Sequence, residues 1–181
     1  MYGVKKIIAT CPHCFNTLRN EYPDFDGRYE VIHHTQFIAQ LIRDGRLDLK
    51  GKIESLTYHD PCYLGRHNGE YDAPREILGQ LAAGGRVDEL EANRSKALCC
   101  GAGGGFAWMD DDPSQRINHR RVEQVQATGA ETVAVGCPFC MQMMEDGLAA
   151  RDPEKTIRAA DVAELVAESL EVADSGGGSD A

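Results

Sequence analysis

The chain has 181 residues, 42% of them hydrophobic and 27% charged, with a formal net charge of −10 at neutral pH. That length and composition fit one ordinary domain with a real core and exclude collagen-like, membrane-embedded and globally disordered chains. The acidic balance argues against nucleic-acid binding, which needs clustered Lys and Arg, and no run approaches the roughly 18 apolar residues of a membrane-spanning helix.

Taken in chain order, residues 7–10 read as a short buried strand. It ends at Cys11-Pro12-His13-Cys14, which opens a helix to about Asn20. A second strand is expected at 31–33 and a helix from 35 or 36 to 43, stopped near Gly45. Residues 53–58 read as a strand ending at His59-Asp60-Pro61-Cys62, and 74–81 as a helix with Pro74 in its first turn. A weak strand at 87–91 is followed by a glycine-rich loop at 99–105. An amphipathic helix is expected at 114–128 with Ile117, Val122 and Val125 apolar, then a strand at 132–135 and helices at 141–150 and 162–171. Short strands alternating with helices predict an α/β layered domain with short, mostly parallel strands. Loops at the carboxyl ends of such strands are where sites are built.

The chain repeats itself. Lys6-Ile7-Ile8-Ala9-Thr10-Cys11-Pro12-His13-Cys14 matches Thr132-Val133-Ala134-Val135-Gly136-Cys137-Pro138-Phe139-Cys140 at an offset of 126 residues, and each copy continues into a short β-type run and an amphipathic helix. Counterparts of Cys62 and Cys100 in the first copy would fall before Met1. Residues 1–50 are therefore expected to be the tail of a truncated first unit, 51–172 a complete unit, and 173–181 a disordered tail.

Seven cysteines without a secretory signal point to a reducing, cytoplasmic compartment, where thiols serve as metal ligands or redox groups. Thirty-six residues separate Cys62 from Cys99, and thirty-six separate Cys100 from Cys137. Five thiols at even intervals (Cys62, Cys99, Cys100, Cys137 and Cys140), each in a turn, suggest a metal pocket of a kind suited to iron–sulfur chemistry. Adjacent side chains diverge, so Cys99 and Cys100 grip one ion poorly but suit different irons of a cluster. Helix N-termini after the CxxC pairs supply N–H groups and partial positive charge that stabilise thiolates. The competing readings are a zinc-stabilised interaction domain without redox activity and a metal-free thiol–disulfide exchange protein.

Around this set, His59 and Asp60 are expected either to tune or protonate a cluster beside Cys62 or to cap a strand-to-loop turn. Arg66 is expected to neutralise cluster charge or bind an anionic substrate, or else to make a surface ion pair. His33 and His34 read as packing or turn-bonding groups. Phe106 and Trp108 are expected to shield the cluster from water or to pack as core, Met141, Met143 and Met144 to pack in the core, and Asp110-Asp111-Asp112 before Pro113 to be a solvated helix start.

Three blocks, His59-Asp60-Pro61-Cys62-Tyr63-Leu64-Gly65-Arg66, Cys99-Cys100-Gly101-Ala102-Gly103-Gly104 and Gly136-Cys137-Pro138-Phe139-Cys140, resemble the cysteine-rich CCG domain of heterodisulfide reductase-related iron–sulfur oxidoreductases. The surrounding sequence is similar to the C-terminal half of large iron–sulfur oxidoreductases with an N-terminal membrane domain. The resemblance implies a [4Fe-4S] cluster, noncubane in some relatives, held by Cys62, Cys99, Cys100, Cys137 and Cys140. Cys11 and Cys14 would belong to a second, incomplete site. It further implies electron transfer between a flavin- or quinone-linked partner and a terminal, in some relatives disulfide, acceptor. The location implied is cytoplasmic, at the inner membrane face where a preceding segment anchors the parent protein; the fragment alone is expected to be inactive.

Overall fold

The computed structural model describes residues 3–50, 52–109, 112 and 116–174. Asp110, Asp111, Pro113 and Ser114, at the expected solvated helix start, and the glycine-rich tail from Ser175 lie outside the described residues. Strand β1 (Lys6–Ala9) pairs in parallel with β2 (Glu30–His33), and β3 (Leu56–Tyr58), β4 (Thr132–Val135) and β5 (Arg158–Asp161) form a second parallel sheet in the order β3-β4-β5. Between them run α1 (Pro12–Asn16), α2 (His34–Arg43), α3 (Cys62–Gly65), α4 (Asp72–Leu81), α5 (Ile117–Thr128), α6 (Pro138–Arg151) and α7 (Val162–Asp174). The expected α/β layering with short parallel strands is what forms.

Strand β4 explains the layering. Val133, Ala134 and Val135 are all buried, because a central parallel strand is covered on both faces and so reads as a continuous apolar run. On one face, Ala134 joins Leu56, Tyr58 and Ala160 beneath Ala39 and Ile42 of α2, Ile77, Leu78 and Leu81 of α4, and Val162 and Leu165 of α7. On the other, Val133 meets Val122 and Val125 of α5 and Met144 and Leu148 of α6. Residues before 50 and after 52 thus share one core through α2.

Several boundaries differ from expectation for local reasons. Helix α6 starts at Pro138 rather than Met141, because Cys137 adopts an extended N-cap conformation and proline's fixed φ suits the first helical position. Helix α1 stops at Asn16, widens into a π turn over Thr17–Glu21 and closes in a Tyr22–Phe25 turn containing Pro23. The weak strand near 87–91 is reduced to a bridge between Thr57 and Asp88, and the expected strand at 53–58 to β3 plus a bridge at Ile53.

Helices α5 and α6 pack closely through Gly147. A Cβ there would sit 2.8 Å from Val122 Cγ2 and 3.1 Å from the Asn118 carbonyl oxygen. Gly147→Val is expected to lower stability by about 1–3 kcal/mol through overpacking, read as a fall in the denaturation midpoint at unchanged slope.

The α6–β5 turn is closed by Asp152, whose carboxylate accepts from the Ile157 N–H (2.7 Å) and the Thr156 hydroxyl (2.9 Å). The Ile157 N–H, with further help from Thr156, holds this carboxyl below its usual 3.8. A depressed folded-state pKa contributes stability above the unfolded value that is lost as pH falls through the folded one. Asp152→Asn is therefore expected to be less stable at neutral pH, with the gap closing below the ordinary carboxylate range; urea midpoints of both proteins against pH check this.

Candidate metal centre

The site grows from the carboxyl ends of three parallel strands. Strand β1 delivers Cys11, β3 delivers Cys62 as the first residue of α3, and β4 delivers Cys137 as the N-cap of α6. Cys99 and Cys100 arrive on an irregular segment whose turn is set by Gly101. Gly101 has φ +97°, and a Cβ there would press within 3.3 Å of Ile117 Cβ. Only glycine holds that conformation without strain.

These thiols meet. The thiols act on one another in a chain from Cys62 to Cys99, Cys100, Cys140, Cys137 and Cys11, each shifting its neighbour's titration. All five cysteines of the spaced set are thus together, and Cys11 joins them at one end. Cys14 is exposed. Cys100, Cys137, Cys140 and Met143 form a small buried cluster of their own. A cavity of about 330 Å³ opens beside them, bounded by His13, Tyr63, Phe139 and the Gly103–Gly105 turn.

The electrostatics alternate along the chain of thiols. Hydrogen bonds from Cys100 and Cys62 hold Cys99 far below its usual value, and bonds from Cys11 and Cys140 hold Cys137 down at about 2. Sharing those protons pushes Cys62, Cys140 and Cys11 up. At Cys100 the bond to Cys140 favours the thiolate, but the bond to Cys99 and burial outweigh it and leave the thiol at about 11. Backbone N–H groups of Gly101 and Gly103 reach Cys99, those of Cys140 and Phe139 reach Cys137, and that of Tyr63 reaches Cys62. The Gly101 contact is 3.3 Å. These donors favour bound anionic sulfur.

Cys11 and Cys137 are equivalent positions of the sequence repeat, and they touch each other. Near-equivalent strand ends do the same, His34 Nε2 lying 3.2 Å from Asp161 Oδ1, and equivalent helices α2 and α7 share one core. Equivalent positions of the two copies thus lie against each other at the thiols and in the shared core.

The flanking residues sort by their partners. Asp60 forms a bidentate pair with Arg75 (2.7 and 2.9 Å) and accepts the Arg94 N–H, so it fastens a turn. The Arg66 guanidinium donates to the Ala97 carbonyl (3.0 Å), two residues before Cys99. His33 donates to or accepts from Thr35 Oγ1 (2.8 Å), and burial depresses its pKa to about 3. Trp108 lines the cavity yet is 88% exposed, so it edges the opening without shielding it; the glycine run lifts the chain away from the core there.

His59 is different. It is 1% exposed, its Nδ1 accepts from Arg121 Nε at 2.9 Å, and a ring nitrogen lies within 4.8 Å of both Cys100 Sγ and Cys140 Sγ. Burial, with Arg121 adding to it, keeps the ring neutral, with a pKa near 3. Arg121 is itself fully buried, bonded to Ala92 O, Gln124 Oε1 and His59, none of them anionic. One terminal nitrogen of Arg121 and Nε2 of His59 have no hydrogen-bond partner among the described residues. Sequence reading missed Arg121. Its signal was position: it falls in the buried helical stripe Asn118, Arg121, Val122, Val125, where a charge is out of place. His13, between two cysteines and with its ring centroid 4.2 Å from that of Tyr63 in a tilted contact, was also missed.

Strand carboxyl ends that deliver Cys11, Cys62 and Cys137 beside Cys99, Cys100 and Cys140, four of these thiols lining one cavity, define a cysteine-rich α/β domain organised around a thiol pocket. Residues 56–145 match the cysteine-rich domain family designated CCG, and the chain belongs to that family. Over 94% of its length it is 44% identical to a probable iron–sulfur-binding oxidoreductase, FadF, of Bacillus subtilis and 43% identical to the EtfAB:quinone oxidoreductase of Syntrophomonas wolfei. Over 93% it is 39% identical to one of the subunits of the dihydromethanophenazine:CoB–CoM heterodisulfide reductase of Methanosarcina barkeri. The chain spans 24%, 25% and 41% of those relatives' lengths, respectively.

Proposed function

We propose that this chain is an iron–sulfur electron-transfer module of a heterodisulfide reductase-like oxidoreductase. Cys62, Cys99, Cys100, Cys137 and Cys140 would hold a [4Fe-4S] cluster, whose chemistry when bound is one-electron transfer. The observation that carries this reading is the convergence of those five thiols on one pocket ringed by backbone N–H donors. Five thiols exceed the four of a closed structural zinc site. The buried guanidinium of Arg121 is bonded to no carboxylate among the described residues, and thiolate-bound iron–sulfur would supply an anionic neighbour.

The residues divide the remaining work. Backbone groups at the starts of α3 and α6 and at Gly101 orient and stabilise sulfur. Arg66 and the Asp60–Arg75 pair fix the segments carrying Cys99 and Cys62. The open side at Phe139 and Trp108 leaves a route to a flavin- or quinone-linked partner and a terminal acceptor, as the names of the relatives suggest. On this reading 51–172 is a complete unit, and 1–50 closes an earlier one whose second site would use Cys11 and Cys14. No helix among the described residues is long and apolar enough to cross a membrane; the proposed place is the cytoplasm, at the membrane face where the parent protein is anchored.

Iron and acid-labile sulfide per chain after anaerobic reconstitution, with EPR of oxidised and reduced forms, test the proposal. About four of each at the five-cysteine site is the expected result. One zinc and no sulfide would replace it with a structural metal domain.

A further inference from the structure

Resting on that reading, we infer that His59 is a fixed N–H donor to a sulfur of the cluster, held in that role by Arg121. Lone pairs decide the tautomer. A guanidinium has donors and no acceptor, so the His59 nitrogen it reaches at 2.9 Å, Nδ1, carries no proton. The proton of the neutral ring is then on Nε2. An imidazolium would set an N–H against the Arg121 N–H.

Nε2 is buried and has no partner among the described residues. Unpaired buried donors are rare in folded chains and point to a missing acceptor. Its surroundings supply sulfur: the ring approaches Cys100 and Cys140, and Cys137 and Cys99 are close enough to act on its charge. His59, Cys100 and Cys140 together have the spacing of three metal ligands, but ligation needs a free lone pair where this tautomer carries a proton. The same three residues therefore favour an N–H facing sulfur over ligation of a metal ion once cluster sulfur occupies the space beside them.

The ring has little freedom to turn away. Its backbone N–H is tied to the Ala134 carbonyl at 3.0 Å, which extends the β3–β4 ladder to the residue itself. Arg121 is held by the Ala92 carbonyl at 2.8 Å and Gln124 at 2.6 Å. Arg121 is thus a positioning residue that fixes the tautomer, and His59 the group that touches the cluster. An N–H directed at cluster sulfur stabilises the more negative, reduced state and raises the potential.

The test uses reconstituted wild type, His59→Leu, His59→Gln and Arg121→Leu, each with iron and sulfide counted first. His59→Leu removes the donor. Its reduction equilibrium is expected to shift about tenfold toward the oxidised form, about 59 mV for a one-electron couple, in an EPR-monitored redox titration. His59→Gln, whose amide keeps an N–H, is expected to recover most of that shift, and Arg121→Leu to move the potential in the same direction as His59→Leu. In wild type grown on ¹⁵N-histidine, pulsed EPR is expected to show one weakly coupled histidine nitrogen and an exchangeable proton.

An unchanged potential in a fully loaded His59→Leu protein overturns the inference. So does a large nitrogen coupling, which would make His59 an iron ligand. If His59→Leu fails to load, the wild-type pulsed EPR and the glutamine variant decide. Wild type without iron would instead remove the proposed function, before any variant is read.

Discussion

Cys137→Ala is expected to abolish cluster uptake, leaving iron and sulfide near background, whereas Cys14→Ala retains about four of each at the five-cysteine site. The contrast follows from placement. Cys137 is buried at the start of α6, where the N–H groups of Phe139 and Cys140 reach its sulfur and where it joins Cys140 to Cys11. Cys14 lies one helical turn along α1 and is exposed. Alanine at 137 keeps Pro138 at the first helical position, so α6 survives and the loss is one of ligation. Retention of full iron in Cys137→Ala would place the cluster elsewhere. Equal loss in both variants would mean that the CxxC pair of the first repeat ligates the same metal.

What the sequence made legible divides along physical lines. Thiols are sparse, seldom decorative and informative through spacing alone, so the five-cysteine set was readable without coordinates. Strand β4 was readable because burial on both faces leaves an unbroken apolar run, Val133 to Val135. Arg121 was not, because arginine in a helix defaults to the surface and only its neighbours in the Asn118–Val125 stripe betray it. Nor was the meeting of Cys11 with Cys137, since a repeat states equivalence and not contact; contact needs the packing of α2 and α7 in one core. Trp108 misled in the other direction, because an aromatic after a glycine run reads as a cover while the turn that Gly104 and Gly105 make carries it outward.

His59-Asp60 reads as one motif, yet its two members face different problems. His59 turns to the thiols, and Asp60 turns to Arg75. That second pair is the more demanding for stability. The two side chains are 3% and 10% exposed, and Arg75 is also bonded to Glu89 through two nitrogens and lies 5.3 Å from the Tyr58 ring centre. Removing one partner of a buried ion pair costs about 3–5 kcal/mol where it strands the other charge. Arg75 keeps Glu89, so Asp60→Ala is expected to lower stability by about 2–3 kcal/mol, a fall of roughly 4–12 °C in Tm for a chain of this size. Arg75→Lys is expected to rescue little, because an ammonium cannot form the bidentate bonds.

The effect reaches the site. Asp60 also accepts the Arg94 N–H at 2.8 Å, so one carboxylate clamps both the turn before Cys62 and the segment leading to Cys99. Asp60→Asn, which keeps the shape and loses the charge, is expected to loosen both and to lower cluster yield even where the protein remains folded. Unfolding midpoints and iron content of the two Asp60 variants check this together. A loss under about 1 kcal/mol would put the pair in the class of exposed ion pairs, and the Cys62 and Cys99 segments would then owe their position to the sheet and to Arg66.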